Sequence, residues 1–413
     1  MSNPTGSITQ PKGFRTAGGT CGVKASGKPD LTLIVADGMC SAAAVFTTNS
    51  FKGGPVLVGM QHLPEGRGRA QAIVCQSGNA NVATMGRNGQ DDALRMCEAA
   101  AAVAGCRPQE VLPASTGVIG RPLPIDKIVA GIADLGSGLG IGAAFDQDAA
   151  EGILTTDLVI KHTVQRFSLT GHPHPHACTI GGIGKGSGMI APSMATMLIF
   201  LTTDAAISPD ALHAALQQAN AASFNRMSVD SDTSTSDTAY VLASGAAGNP
   251  IIKSEADPNF RGFTDALTAA CRDLADQVVR DGEGATRTFE VHVKGAASVE
   301  DADRIGRAVT DSPLVKCAIH GLDPNWGRLV MAAGKSGATL DPNRFVVTIE
   351  GTTVFANGLP AVTDPEALDQ LATQMDTDRV HITLDAQLGD AEAIWLGCDL
   401  SRQYIAINAD YTT

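Results

Sequence analysis

Residues 185–198 read KGSGMIAPSMATML, with Lys185 at the start and Thr196 near the end. Five glycines stand between positions 181 and 188, and such a density predicts a loop. The apolar run at residues 197–201 predicts a β-strand. The sequence therefore predicts a lysine-bearing loop that leads, through Pro192 and small residues, to a threonine at the start of a strand.

This position of Thr196 has a chemical interpretation and a purely structural one. If the Ala195–Thr196 bond were cleaved, Thr196 would carry both a hydroxyl and a free α-amine. The unperturbed pKa of an α-amine is ~7.7–8.0, so the amine would serve as a general base for the neighbouring hydroxyl. A chain without a Ser/His/Asp signature would then still perform acyl transfer. On the structural interpretation, Thr196 merely begins a strand.

The composition is that of a folded enzyme with small core side chains. The chain has 413 residues and a mass of 42.4 kDa, which predicts two or three domains. Hydrophobic residues make up 44% and aromatic residues only 4%, while glycine occurs 45 times. Such a core suits a layered α/β architecture with close backbone approaches.

Charge and cysteine usage exclude several classes of partner. The net charge is −13 and no run of Lys or Arg occurs, so we expect neither nucleic acid nor a membrane as partner. Nine cysteines without a C-x-x-C pair predict free thiols in a reducing compartment. The polar opening MSNPTGSITQPKGF is unlike a signal peptide, and residues 189–201 are too short to span a bilayer. We therefore expect a cytoplasmic location.

Hydrophobic periodicity predicts strands and helices that recur in both halves. In the first part we predict strands at 31–36, 42–46, 55–58 and 72–76, a hairpin of 163–169 with 177–180, and helices at 91–104, 124–133, 143–153, 209–222 and 262–279. After residue 286 we predict strands at 289–293, 345–349, 380–384, 393–397 and 404–408, and helices at 301–309 and 365–375. This order favours an α/β (α+β) fold with αββα layers over a regular βαβ alternation.

Three familiar motifs fail on their spacing. Gly334-Lys335-Ser336 ends like a phosphate-binding loop, but Leu329 occupies the position of the required glycine. The glycine-dense stretch lacks a dinucleotide fingerprint, and no G-x-S-x-G elbow occurs. The three histidines of 172–176 alternate with prolines, which favours a loop over a metal site. We therefore expect no metal centre.

The segment KGSGMIAPSMATML resembles the self-cleaving site of the ornithine acetyltransferase (glutamate N-acetyltransferase) family of arginine biosynthesis. Further blocks of that family follow in order along the chain: PKGFRTAG, AVFTTN, SGNAN, STGVIG, ILTTD, FNRMSVDSDTSTSDT, SPLVK, DPNWGR and GCDLSRQYIAINADYTT. So many ordered blocks favour the chemical interpretation of Thr196 over the structural one.

The resemblance implies a fold and a division of the chain. It implies an αββα sandwich of the N-terminal-nucleophile-like aminopeptidase/ornithine acetyltransferase type, with a smaller C-terminal α+β domain at about 286–413. Cleavage between Ala195 and Thr196 would give an α chain of residues 1–195 and a β chain of residues 196–413. Two copies of each chain are expected to assemble.

The resemblance also implies a role for individual residues. Thr196 is the expected nucleophile, for chain cleavage and for catalysis. The Thr116 hydroxyl and the Gly117 N–H are the expected oxyanion hole. Expected substrate contacts are Thr155 (with Thr156 as the alternative), Lys185, Thr196, Glu283, Asn408 and Thr413. Lys185 suits the substrate's α-carboxylate and Glu283 its side-chain amine.

The implied reaction transfers the acetyl group of N-acetyl-L-ornithine to L-glutamate by a ping-pong mechanism, with no cofactor. Three alternatives remain open at this stage. The first is a bifunctional enzyme that also acetylates glutamate from acetyl-CoA. The second is a related amidase or aminopeptidase that uses water as the acceptor. The third is an uncleaved binding or regulatory protein on the same fold.

Overall fold

The structure is a computed structural model and describes residues 6–84, 88–170, 176–191 and 197–410. Ala195, Thr196 and Thr413, to which the sequence assigns functions, lie outside the described residues. So do His172 and His174.

The described residues form fifteen strands and eleven α-helices. The strands are β1 (Phe14–Gly19), β2 (Leu31–Phe46), β3 (Arg67–Asn79), β4 (Val111–Val118), β5 (Lys161–Leu169), β6 (His176–Lys185), β7 (Leu198–Thr203), β8 (Met227–Ser228), β9 (Thr238–Ala243), β10 (Thr288–Ala296), β11 (Val346–Ile349), β12 (Thr352–Ala356), β13 (Leu359–Pro360), β14 (Arg379–Asp385) and β15 (Ala391–Cys398). The helices are α1 (Gly54–His62), α2 (Asn88–Ala104), α3 (Ile125–Gly136), α4 (Ala143–Gly152), α5 (Pro209–Ala221), α6 (Phe260–Arg280), α7 (Val299–Thr310), α8 (Pro313–His320), α9 (Trp326–Gly334), α10 (Pro365–Gln374) and α11 (Arg402–Asp410).

The first sheet has the strand order β4-β3-β2-β9-β7-β6-β5, and β1 pairs with the first half of β2. The pairing of β2 with β3 shifts register between Val35 and Cys40, and beyond this irregularity β2 pairs with β9. A β-bulge bends a strand and increases its twist. The long strand β2 therefore belongs to two halves of one hydrogen-bonded sheet.

The side chains of β2 show how these two halves stack. Leu33 packs with α2 and α3 in one hydrophobic cluster, whereas its neighbour Ile34 belongs to a second cluster together with Phe200 of β7. Further along, Ala42 belongs to that same inner cluster, while Ala43 packs with α5 and α6. Successive strand residues face opposite sides of a sheet. The order of layers is therefore helices, sheet, sheet, helices, which confirms the expected αββα architecture.

Strand β6 contains glycines that the sequence analysis placed in a loop, and that prediction was wrong for residues 181–185. A Cβ atom at Gly181 would collide with the carbonyl oxygen of Ser7. At Gly182 it would collide with Leu201 and approach Leu274 of α6. These glycines serve close packing on both faces of a buried strand rather than chain reversal.

The second sheet has the order β13-β12-β11-β14-β10-β15-β8, and α7 to α10 supply side chains to its hydrophobic core. Its strands lie beyond residue 286, except for β8. Met227 and Ser228 of β8 pair in parallel with Leu396 and Gly397 of β15. The first part of the chain thus contributes the edge strand of the second sheet.

Two predicted strands are helices. Residues 55–58 belong to α1, where Pro55 occupies the first turn, a position that accommodates a residue without an N–H. Residues 404–408 belong to α11, and the Ser401 hydroxyl accepts a hydrogen bond from the Gln403 N–H at its start (3.1 Å). Residues 55–58 form a short apolar run, and Ile405 and Ile407 stand two apart, so both segments resemble strands in sequence.

The close contact of β6 gives a stability prediction. Gly181→Ala should lower the free energy of unfolding by about 1–3 kcal/mol, because the added methyl group meets the backbone of Ser7. Gly262→Ala in α6 is the control: nothing lies within 4 Å of its Cβ position, and alanine favours the helix. Urea unfolding of both variants tests this. Equal stability of Gly181→Ala and the parent protein would contradict it.

Candidate active site

One cavity of about 330 Å³ gathers the described residues to which the sequence assigns functions. Its lining includes Thr116, Gly117, Thr155, Lys185, Glu283 and Asn408, as well as the alternative Thr156. These residues come from β4, the α4–β5 connection, the end of β6, the turn after α6, and α11. The fold therefore brings together side chains that are far apart in sequence.

Strand β4 carries the expected oxyanion residues beside β3. Thr116 pairs with Ser77 and Gly117 with Gly78 in a parallel register. Gly117 has φ +130°, and a Cβ atom there would collide with the backbone of Gly78. A side chain is excluded at this point, so the close approach of the two strands requires glycine.

A chain of four buried charges lies behind the cavity. The Lys185 Nζ stands 4.0 Å from Asp157 Oδ2, and Lys161 Nζ stands 2.7 Å from Asp157 Oδ1. Lys161 Nζ also contacts Asp281 Oδ2 at 2.6 Å. All four side chains are at most 5% exposed. The two cations and two anions balance each other, as burial in a medium of low polarity demands.

Asp157 connects this chain of charges to the cavity wall. Its carboxylate accepts hydrogen bonds from the N–H groups of Thr155 (3.0 Å) and Gly186 (2.7 Å). Burial by itself would raise the pKa of Asp157, but the charges of Lys185 and Lys161 and the Lys161 hydrogen bond outweigh it. The pKa is therefore held below its usual range, and Asp157 stays ionised. One carboxylate thus fixes the backbone at Thr155 and directly after Lys185.

The other end of the chain of charges fixes the turn that carries Glu283. The backbone carbonyl of Asp281 accepts a hydrogen bond from the Ser187 hydroxyl (2.6 Å), and the Glu283 N–H donates to the Ser187 carbonyl (2.9 Å). The Glu283 carboxylate accepts a hydrogen bond from Asn408 Nδ2 at 2.8 Å. Lys185 and Glu283 therefore line the same cavity, and the same set of buried charges and the Ser187 hydrogen bonds connect them.

Gly188 leaves the space that the Glu283 carboxylate occupies. A Cβ atom at position 188 would overlap with that carboxylate. The side chain of Glu283 is mostly buried, and its position against the backbone of residue 188 depends on this missing methyl group.

The sequence analysis missed Asp230 and Tyr404, which also line the cavity. Asp230 accepts hydrogen bonds from the N–H groups of Met189 (2.6 Å) and Ile190 (2.8 Å) and from the Tyr404 hydroxyl (3.2 Å). Burial raises the pKa of Asp230 to about 6, against the opposing effect of these backbone hydrogen bonds. Both residues lie in quoted sequence blocks, and only the pairing across the fold reveals their connection.

Residues 233–236 form a wall of the cavity that is rich in hydroxyl groups. The connection between β2 and α1 binds the backbone of this wall. The carbonyl oxygens of Ser234, Thr233 and Thr235 accept hydrogen bonds. Their donors are the Thr47 hydroxyl (2.6 Å), the Asn49 side-chain amide (2.8 Å) and the Gly53 N–H (2.9 Å). The backbone of the wall is thus fixed, and its side chains form part of the cavity lining.

Comparison with known proteins decides the family. The sequence profile of the ArgJ family matches residues 15–413. The chain belongs to the ArgJ family. Two relatives, both named arginine biosynthesis bifunctional protein ArgJ, are each 44% identical to it. The protein of Symbiobacterium thermophilum aligns over 99% of both chains, and that of Geobacter sulfurreducens over 97% of this chain and 99% of its own. The expected acyltransferase of arginine biosynthesis is thereby confirmed.

Solved structures of ArgJ proteins are also similar to parts of the chain. The crystal structure of ArgJ from Bacillus halodurans is 36% identical, covers 52% of this chain and 98% of its own, and has a TM-score of 0.49. The ornithine acetyltransferase of Mycobacterium tuberculosis, complexed with ornithine, is 37% identical and covers 46% of this chain and 95% of its own, with a TM-score of 0.40.

Two features are absent from the described part of the chain. Within it, no helix combines the length and apolar character needed to cross a membrane. Over the same residues, no group of three or more His, Cys, Asp or Glu side chains is arranged to hold a metal ion.

The buried charges predict a pH-dependent loss of stability. Asp157→Asn should lower the free energy of unfolding by about 3–5 kcal/mol at pH 7, because it leaves Lys185 without its anion. The difference should shrink below about pH 4, where the unfolded parent chain takes up a proton that the folded Asp157, with its lowered pKa, refuses.

Urea unfolding at pH 7 and about pH 3.5 measures this difference. Asp126→Asn is the control, because Asp126 is 90% exposed in its ion pair with Arg95 and should contribute within about 0.5 kcal/mol. A loss in Asp157→Asn that does not change with pH would contradict the ionised state of Asp157.

Proposed function

We propose that this enzyme transfers the acetyl group from N2-acetyl-L-ornithine to L-glutamate, and so produces L-ornithine and N-acetyl-L-glutamate. The reaction passes through an acetyl-Thr196 intermediate after self-cleavage at Ala195–Thr196. The observation that supports it most is the cavity that gathers Lys185, Glu283 and the β4 residues Thr116 and Gly117. Family membership supports the acyl transfer.

Self-cleavage comes first in this mechanism. The Thr196 hydroxyl oxygen attacks the carbonyl carbon of Ala195, and the bond from that carbon to the Thr196 nitrogen breaks. The product is an ester between Ala195 and the Thr196 side chain, with the Thr196 amine released. Water then hydrolyses the ester, which leaves a carboxylate on Ala195 and restores the Thr196 hydroxyl.

The acetyl group is taken up in the first half-reaction. The Thr196 α-amine accepts the proton of its own hydroxyl while the oxygen attacks the acetyl carbonyl of the donor. Thr116 and Gly117 would stabilise the resulting oxyanion, and such donors each contribute ~2.7–4 kcal/mol. The α-nitrogen of ornithine takes the proton back as its bond to the acetyl carbon breaks.

Glutamate completes the cycle in the second half-reaction. Its α-amine attacks the acetyl-Thr196 ester, loses a proton to the Thr196 amine, and leaves as N-acetyl-L-glutamate. The alcohol oxygen of Thr196 recovers its proton. Acetyl is thus conserved, and neither a metal nor an organic cofactor takes part in any step.

Charge complementarity supports this choice of donor. N-acetylornithine carries an α-carboxylate and a cationic side-chain amine, and the cavity lining offers the Lys185 ammonium and the Glu283 carboxylate. Asn408 holds the Glu283 carboxylate, while Thr155 and Thr413 would contact the remaining polar groups of the substrate. Ion pairs in such a shielded place discriminate strongly between substrates.

Acetylation of glutamate from acetyl-CoA is the second function that we propose. It is supported by the word bifunctional in the names of the relatives that match 97–99% of this chain. The same acetyl-Thr196 intermediate would serve both donors, with the thiol of CoA as the leaving group. An amidase that uses water as acceptor would instead hydrolyse N-acetylornithine without glutamate.

The proposed assembly combines the cleavage with the pairing of units that the family resemblance implies. The α chain of 195 residues and the β chain of 413 − 195 = 218 residues would stay together as one unit, and two such units would associate. The cytoplasm is the proposed location, because the substrates are soluble amino acids and the cysteines are unpaired.

The intact mass under denaturing conditions tests the mechanism. We expect the parent protein to give two species that divide the chain after Ala195, whereas Thr196→Ala should give one species of 42.4 kDa. Thr196→Ala should also lose acetyl transfer by roughly a thousandfold or more. Thr196→Ser, which keeps a hydroxyl, is the matched control and should retain cleavage. A parent protein of a single mass, with Thr196→Ala equally active, would overturn the proposal.

Gly188→Ala tests the part that Glu283 plays in binding. The added methyl group displaces the Glu283 carboxylate, so KM for N-acetylornithine should rise by about tenfold. Steady-state kinetics measure this, and Gly262→Ala, far from any neighbour, is the control. An unchanged KM in Gly188→Ala would exclude Glu283 as the ligand of the substrate amine.

Assays that leave out one substrate test which acetyl acceptors and donors the enzyme uses. With N-acetylornithine alone, the enzyme should release at most one equivalent of ornithine, whereas continued release without glutamate would identify an amidase. With acetyl-CoA and glutamate alone, formation of N-acetylglutamate would establish the second activity. Its absence would restrict the enzyme to transfer from N-acetylornithine.

A further inference from the structure

Asp237 lies where the described chain resumes after residues 192–196. It is fully buried, and its Oδ1 accepts a hydrogen bond from the Met197 N–H at 3.0 Å. The Met197 nitrogen is covalently bonded to the carbonyl carbon of Thr196. The hydrogen bond therefore fixes the Met197 amide nitrogen, to which residue 196 is joined.

The sheet itself does not supply this contact. The parallel ladder between β7 and β9 begins with Leu198 opposite Thr238. The Thr238 N–H donates to the Met197 carbonyl (3.1 Å), and the Asp237 side chain takes the Met197 N–H on the other side. Residues 237 and 238 therefore hold both hydrogen-bonding groups of Met197.

Asp237 is anchored from the opposite direction by the strand connection after β2. Its backbone carbonyl accepts a hydrogen bond from the Thr47 N–H at 3.0 Å, and the Thr47 hydroxyl binds the Ser234 carbonyl in the cavity wall. Thr47 thus binds both the backbone of Asp237, whose side chain accepts the Met197 hydrogen bond, and the backbone of the cavity wall.

A carboxyl group in this position is costly. Asp237 Oδ2 has no hydrogen-bond partner among the described residues, and an unsatisfied buried polar atom costs about 1–3 kcal/mol. Complete burial raises the pKa of Asp237 well above its ordinary value, against the opposing Met197 hydrogen bond and the charge of Lys185. Costs of this kind concentrate at functional sites.

We infer that Asp237 is a positioning residue for the nucleophile: its carboxyl oxygen holds the Met197 amide nitrogen, to which residue 196 is covalently joined. The inference rests on the proposed function and adds a residue that acts through the Met197 amide. It makes self-cleavage and turnover, but not substrate binding, depend on one buried hydrogen bond.

Two substitutions separate positioning from simple packing. Asp237→Leu has a similar size but no acceptor, whereas Asp237→Asn keeps an oxygen for the Met197 N–H. In Asp237→Leu we expect self-cleavage and kcat to fall at least about tenfold, with KM within about twofold of the parent value. Its melting temperature should stay within a few degrees, since the lost hydrogen bond is offset by removal of an unsatisfied buried oxygen. Asp237→Asn should restore both rates to within about threefold.

Intact mass over time, steady-state kinetics and thermal unfolding provide the readouts. Parent-like cleavage and kcat in Asp237→Leu would overturn the inference, as would an Asp237→Asn variant equally impaired. So would a loss of activity that only accompanies a lower melting temperature and a higher KM. If Asp237→Leu does not fold, Asp237→Ser, whose side chain is too short to reach the amide, is judged by the same criteria. An uncleaved parent protein or an active Thr196→Ala would instead disprove the proposed function.

Discussion

The ion pair between Lys161 and Asp281 holds together the parts of this molecule that must meet for chemistry. Asp281 ends the long helix α6, and Lys161 begins the hairpin of β5 and β6. Through Asp157, the same lysine reaches the residue that ends β6, Lys185. Buried charges tolerate little displacement, because each depends on its partner for compensation. The helix layer and the strand layer are therefore fixed relative to each other at the cavity.

The αββα layers give this arrangement its shape. The two halves of the first sheet enclose the inner hydrophobic cluster, and their ends open onto the cavity. The second sheet contributes through β8, because the chain leaves β8 at Ser228 and enters the cavity wall at Asp230. Thus the C-terminal part of the chain supports the wall at one end, and α11 supplies Tyr404 and Asn408 at the other.

The sequence predicts much of this molecule, because amphipathic helices such as α6 and apolar strands such as β7 show their own periodicity. The sequence-based prediction of an element is wrong where contacts between residues far apart in the chain determine the structure. The β6 glycines resemble a loop until the crossing chain at Ser7 is known. Residues 404–408 resemble a strand, yet Tyr404 and Asn408, four apart, share a face in a strand and in a helix alike. Asn408 was nevertheless anticipated, because its assignment came from the family resemblance and not from the predicted element, whereas Tyr404 was missed.

Three of the four buried charges, Asp157, Lys161 and Asp281, escaped sequence analysis for a related reason. Asp157 and Lys161 stand four residues apart, which carries no signal, and Asp281 is far along the chain. Neither a motif nor a spacing marks such a set. Resemblance to known blocks, by contrast, gave six of the residues that line the cavity: Thr116, Gly117, Thr155, Lys185, Glu283 and Asn408.

Strand β7 lies between β6 and β9 and pairs with both along its whole length. A cut between residues 195 and 196 would therefore leave its two fragments interleaved within one sheet, and they would not separate while the fold persists. Unfolding would be different in kind from that of the uncut chain. Two free polypeptides would have to find each other again, so refolding would depend on their concentration. The stability of the mature protein would then depend on its concentration, and in dilute solution its lifetime would be set by the rate at which the fold first opens.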